Sequence, residues 1–399
     1  MQIEWLIILL PLAATSGWYA ASRAARKESA KSEREANPVY FQGLNYLLNE
    51  EPDKAIDVFL EMLEVDADTI ETHLALGNLF RRRGEVERAI RIHQNLIARP
   101  ALSREQRAQA VLELAQDYMR SGLYDRAEQL LLELKQGRQY VVPVLRNLVK
   151  IYQQEKDWDA CLKTIEALDI ESGETHDLQK SHYFCEMANK ARADGDNEVA
   201  RIYLKRALNV YKGCVRATHL LARIDIQENK RKDALVKLLD AAERAPEYLP
   251  EIIREIVDIY RSEGDMRGVR AFLEDQVKRH PNQGTELFLA EIIRQQSGDA
   301  EATRFLGEYI AKNPSMPGLI RLVELQCTMP SMGNDHLLYN VRAHLHRLMA
   351  ERINYQCQKC GFEAKQLHWQ CPSCDSWSTI KRRSLIEADN QIKTVKEVL

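Results

Sequence analysis

Apolar positions through the long middle of the chain fall into paired blocks that repeat. Leu76, Gly77, Leu79 and Phe80, then Gly84, then Ala89 and Ile90, reappear as Leu114, Ala115 and Tyr118, then Gly122, then Ala127. Each block reads as a helix, a tight turn at the glycine and a second helix. Small residues at the crossing point of the second helix recur at Ala55, Ala89, Ala127, Cys161, Ala200, Ala234, Val269 and Ala302, separated by 34, 38, 34, 39, 34, 35 and 33 positions. The matching position on the first helix holds Gly43, Gly77, Ala115, Ala188, Ala222 and Ala290, where a small side chain lets adjacent backbones approach. Prolines at Pro246, Pro281 and Pro314 stop the second helix where the spacing requires it.

A helix-turn-helix unit with a period near 34 is the tetratricopeptide signature. The predicted fold class is therefore all-α, a tetratricopeptide-repeat solenoid over residues 36–350. Such an array presents a long concave surface to peptides or protein partners. First-helix residues line that surface, which makes Asn78 and Arg81 polar candidates for partner binding. The run from Arg81 to Arg83 closes a first helix before a glycine turn and reads otherwise as a solvated face. Cys161 stands where other repeats have alanine and reads as a packing residue. The histidines are scattered, and His344 and His346 point to different sides of a helix.

The first 22 residues follow a different pattern. From Trp5 to Ser22 there are 18 residues without a charge, a run whose helix with its flanks comes close to the roughly 30 Å of a bilayer core. A cleaved signal peptide begins with positive charge, whereas here Glu4 precedes the run and Arg23, Arg26 and Lys27 follow it. Residues 1–22 are thus expected to be an uncleaved anchor, followed by a juxtamembrane linker over 23–35. The positive-inside rule puts the bulk of the chain in the cytoplasm. The competing reading is an apolar helix packed on the soluble body.

Near the other end, Cys357, Cys360, Cys371 and Cys374 form a C-x2-C-x10-C-x2-C pattern. Two such pairs place four thiolates at the corners of a tetrahedron, with Gly361 and Pro372 suiting the tight turns. An S4 set selects zinc or iron, and with every position filled by protein no vertex is left for water or substrate. The site reads as structural. Disulfides are the alternative, but nothing suggests an exported chain. The segment from Tyr355 to Lys381 is too short to bury an adequate core, so bound metal is expected to supply its folding energy, with Phe362, Trp369 and Trp377 packed around it. His368, between the pairs, is a spare ligand that a complete cysteine set does not need. The other four cysteines, Cys161, Cys185, Cys214 and Cys327, lie singly on predicted helices and read as buried thiols of a reducing compartment.

Composition narrows the function classes. A net charge of −3 and a pI near 6.4 give no basic field for nucleic acid. No phosphate-cradling glycine loop, nucleophile elbow or H-E-x-x-H helix is present. A helical array also lacks the strand ends on which catalytic groups converge, so no catalytic or cofactor-binding residue is assigned beyond the metal ligands.

The order of parts, an anchor, a tetratricopeptide array and a terminal module from Cys357 to Lys381, closely resembles the lipopolysaccharide assembly protein B family of Gram-negative inner membranes. The segments from Gly77 to Val86, from Arg88 to Gln94 and from Gly122 to Glu128 are similar to that family's central repeats. The tail, 384–399, departs from it. The resemblance implies a rubredoxin-like module over 355–383, holding one iron or zinc ion and packed on the repeats. It implies a single-pass inner-membrane adaptor, not an enzyme, that restrains lipopolysaccharide synthesis. Its implied partners are the membrane-anchored AAA protease FtsH and UDP-3-O-acyl-N-acetylglucosamine deacetylase, whose turnover it promotes, along with further lipopolysaccharide synthesis proteins. A scaffold that gathers those enzymes at the membrane would use the same parts. A redox protein built on an iron S4 centre is a third class, and zinc as the native metal would exclude it.

Overall fold

In a computed structural model of the chain, the described residues are 70–100, 102–281, 284–328, 336–351 and 353–383, with isolated positions between 41 and 58. The expected anchor (1–22), the linker (23–35), Ala55 and the tail (384–399) lie outside them. No helix among the described residues is long and apolar enough to cross a membrane. The chain divides into two units, one up to Val144 and one from Leu145 onward.

The first unit contains α1 (Ile70–Arg83), α2 (Val86–Ile97), α3 (Arg104–Arg120) and α4 (Tyr124–Gln136), and α5 (Val141–Glu155) starts at its end. The second continues with α6 (Trp158–Ser172), α7 (Asp177–Ala193), α8 (Asn197–Val210), α9 (Val215–Gln227) and α10 (Arg231–Arg244). A 3-10 turn over Pro246–Tyr248 leads into α11 (Leu249–Ser262), α12 (Met266–Arg279), α13 (Thr285–Ser297), α14 (Asp299–Lys312), α15 (Met316–Thr328) and α16 (His336–Glu351).

The periodic small residues sit where the pairs cross. Ala89, Ala127, Cys161, Ala200, Ala234, Val269 and Ala302 on the second helices are all fully buried, as are Ala115, Ala188, Ala222 and Ala290 on the first. Gly77 shows the reason most sharply, because a Cβ there would lie 2.4 Å from Nε2 of His93. The three prolines follow α10, α12 and α14 within two residues of their ends.

Turns inside the repeats obey the same spacing. Gly84, Gly122, Gly195 and Gly264 have φ of 87°, 78°, 85° and 72°, and Lys156 and Asn229 occupy the equivalent left-handed position at 59° and 60°. Asp157, Asp196 and Asp265 then cap the second helix by accepting from the backbone N–H groups of Ala160, Val199 and Gly268. In α3, Ser103 and Gln106 form a reciprocal capping box.

The terminal module is a three-stranded antiparallel sheet of β1 (Tyr355–Cys357), β2 (Glu363–Ala364) and β3 (Ile380–Arg382), in the order β2-β1-β3. Tyr355 faces Ala364 on one side and Arg382 on the other, and Cys357 faces Ile380. Its own core is small: Cys357, Cys371 and Ile380, with Tyr355, Phe362 and Leu367 against them.

Candidate metal centre and its docking on the repeats

Each C-x2-C pair is held by a short backbone loop. The amide of Gly361 donates to the carbonyl of Cys357 and that of Cys357 to Phe362; in the second pair, Asp375 donates to Cys371 and Cys371 to Ser376. Gly361 adopts φ 78°, which lets the first loop close. The loops bring the four Sγ atoms within 4.8 Å of one another. Cys357 and Cys374 are 3.8 Å apart, and Cys360 and Cys371 are 3.6 Å apart. A tetrahedron with metal–sulfur bonds of about 2.3 Å has edges of about 3.8 Å, so the donor set fits one zinc or iron ion.

The environment favours the thiolate at Cys357 and Cys374 and opposes it at Cys371. Burial opposes ionisation of Cys357, yet the Thr379 hydroxyl, 3.3 Å from its sulfur, and the backbone N–H groups of Cys360 and Lys359 hold the thiol down at about 6. A hydrogen bond from Ser376 lowers Cys374. Burial pushes Cys371 up to about 12. Ionisation of Cys371 is therefore favoured when a bound cation stabilises its thiolate.

Phe362 joins the module core as expected, but Trp369 and Trp377 do not pack around the metal. Both turn outward onto the helices of the second unit, where far more apolar surface is available than the module itself offers. Trp377 is buried with Val149, Cys161, Ile165 and Tyr183. Its ring lies edge-on to Trp158 and Tyr183, with centroids 6.3 and 6.0 Å away, and stacks on His182 at 4.9 Å. Its indole N–H donates to Oε1 of Gln153 at 2.9 Å, and the Gln370 amide donates to the same oxygen at 3.3 Å. Trp369 stacks on Tyr248 at 5.2 Å. Lys381 lies 4.3 Å over that tyrosine ring and donates to its hydroxyl at 2.9 Å. His182 contacts the hydroxyl of Ser378 at 2.7 Å, and the Tyr355 hydroxyl donates to Glu251. Gln153, His182, Tyr248 and Glu251 carry no sequence signal for this role.

Comparison with known proteins agrees with this architecture. Residues 355–382 match the family model described as a rubredoxin metal binding domain, and residues 72–108 match a tetratricopeptide repeat. Lipopolysaccharide assembly protein B of Escherichia coli (strain K12) is 33% identical over 381 residues, covering 95% of this chain and 98% of its own length. The chain belongs to the lipopolysaccharide assembly protein B family. The Haemophilus influenzae protein of the same name is 33% identical over 394 residues, again covering 95% of this chain and 98% of its own. Among solved structures, Naa15/Naa10 bound to HypK-THB aligns with a TM-score of 0.50 at 16% identity, covering 83% of this chain and 49% of that one, and shows a common helical fold.

Of the two residues expected on a partner-binding face, Arg81 forms ion pairs within the first unit. Arg81 pairs with Glu113 at 2.7 Å and with the fully buried Asp117 at 2.9 Å. Asp117 also contacts His93, itself fully buried, at 2.5 Å. Most of the Arg81 guanidinium is thus used inside the first unit, while Arg82 and Arg83 remain exposed. Asn78 is half-buried, and its side-chain oxygen is enclosed without a hydrogen-bond partner. Cys161 is buried as a packing residue, its thiol pushed up to about 12 by burial and by Asp157. Cys185 and Cys214, expected to stand singly on helices, form a buried pair with sulfurs 3.9 Å apart, and Cys214 lies just outside α9, at its N-cap position.

Proposed function

We propose that this chain is a non-catalytic adaptor of lipopolysaccharide biosynthesis. It is held at the inner membrane by residues 1–22, with its bulk on the cytoplasmic side, and promotes turnover of UDP-3-O-acyl-N-acetylglucosamine deacetylase by the FtsH protease. The observation that carries this reading is 33% identity, over an alignment covering 95% of the chain, with relatives named for lipopolysaccharide assembly. The parts suit the role. A repeat array holds protein partners, a closed four-thiolate site stabilises without reacting, and an anchor raises the effective concentration of a membrane-bound protease.

The test is depletion of the protein while following deacetylase half-life. The half-life should lengthen and lipopolysaccharide should rise, and the purified chain should bind both proteins without peptidase activity. An unchanged half-life would reject the adaptor mechanism and favour a scaffold that assembles the synthesis enzymes.

A further inference from the structure

A cavity of about 300 Å³ lies where the metal module meets α7, α9 and the turn between α10 and α11. The repeats contribute His182, Arg216, Arg244 and Tyr248 to its wall, and the module contributes Trp369 and Lys381. Among the described lining residues Glu247 is the one carboxylate, and Lys381 neutralises it at 3.2 Å. The two arginines of the wall have carboxylate partners of their own outside the lining, Glu186 for Arg216 and Asp240 for Arg244. Arg244 sits at the exposed rim, paired with Asp240.

Arg216 is different, because its side chain is only 8% exposed. Its Nη2 pairs with Glu186 at 2.7 Å and its guanidinium faces the Trp377 ring at 5.9 Å, but Nη1 is enclosed without a hydrogen-bond partner. His182 is 1% exposed, and with its Nε2 on Ser378 its Nδ1 is likewise enclosed and unpartnered. Buried polar atoms rarely remain unsatisfied. Two of them on residues lining one cavity, one of them a guanidinium N–H group, beside the stacked rings of Tyr248 and Trp369, call for a partner with both charge and body.

We propose that this cavity binds a small organic anion, a phosphate ester or a carboxylate, with its charged end toward Arg216 and His182 and its body against Tyr248 and Trp369. The proposal does not rest on the adaptor reading. Because the walls come from both the module and the repeats, occupancy ties the two together.

The experiment titrates the full-length, metal-loaded protein with inorganic phosphate, glucose 6-phosphate and citrate by calorimetry, while following tryptophan emission and Tm. Saturable one-to-one binding is expected in the phosphate or the carboxylate arm, with a rise in Tm, and the arms identify which anion is preferred. R216Q should weaken that binding roughly tenfold or more, the loss of one charge-assisted hydrogen bond. R244Q, at an exposed position that the fold does not need, should weaken it severalfold and keeps the test decisive if R216Q fails to fold. Absence of saturable binding of all three probes at millimolar concentration would overturn the proposal, as would binding that R244Q leaves unchanged.

Discussion

The indole N–H of Trp377 and the side-chain oxygen of Gln153, 224 positions apart in the chain, meet in a buried 2.9 Å hydrogen bond. This contact fixes how the metal module sits on the helices of its own unit. Gln153 accepts from Trp377 and Gln370 together, so one side chain of α5 orients both residues of the Gln370–Trp377 bridge.

Trp377→Ala should detach the module while leaving the helices formed. Truncating a buried tryptophan costs about 3–5 kcal/mol, more than a docking contact of this size can spare. Gln153→Leu should weaken docking by about 1–3 kcal/mol through the unpaired indole N–H. Limited proteolysis would release the module from both variants, with the helical circular dichroism retained. A module as resistant as in the parent would refute the assignment.

Purified protein should contain one zinc or iron ion per chain by elemental analysis. Cys357→Ser and Cys374→Ser should lose it and unfold the module, because metal contributes on the order of 10–16 kcal/mol to small thiolate domains. Chelation should do the same reversibly. Stoichiometric disulfides in place of metal would disprove this.

Arg81→Glu should destabilise the first unit by about 3–5 kcal/mol, since it places a carboxylate against Asp117 and Glu113 and leaves a buried charge unpaired. Gly77→Ala should also destabilise, by about 1–3 kcal/mol, as its methyl group would overlap the His93 ring. Chemical denaturation of each variant gives the comparison. A near-neutral Arg81→Glu would mean that the ion pairs contribute little.

Lys156→Gly should stabilise the chain. Lys156 adopts φ 59° at a position where four other repeats have glycine, and a side chain in that region costs about 1–2 kcal/mol. The gain should appear as a higher denaturation midpoint. A loss would show that the Lys156 side chain makes a compensating contact.

The repeat array was legible because its constraint is local and recurrent: where helices cross closely, only Gly, Ala, Cys or Val fits, and Ala89 through Ala302 record that at each turn of the period. The metal ligands were legible because the two loops that hold them are each set by adjacent residues. The direction of Trp369 and Trp377 was not, since a tryptophan near a small core packs equally well inward or outward until the neighbouring surface is known. The ion pairs of Arg81 were not legible for a related reason. Its partners, Glu113 and Asp117, lie on the next first helix, and nothing in the spacing separates an arginine facing solvent from one facing a carboxylate. Nothing in the sequence pairs Cys185 with Cys214, which are 29 positions apart.

Repeat arrays ordinarily couple each unit only to its neighbours, so they can melt stepwise from any point. The metal module breaks that rule in the second unit, for it touches Gln153 of α5, Trp158 of α6, His182 of α7, Arg216 of α9 and Glu251 of α11 at once. It thereby acts as a clasp across successive repeats. With the clasp closed these helices share one fate in unfolding, and with the metal withdrawn the same helices become a chain of separately fraying links.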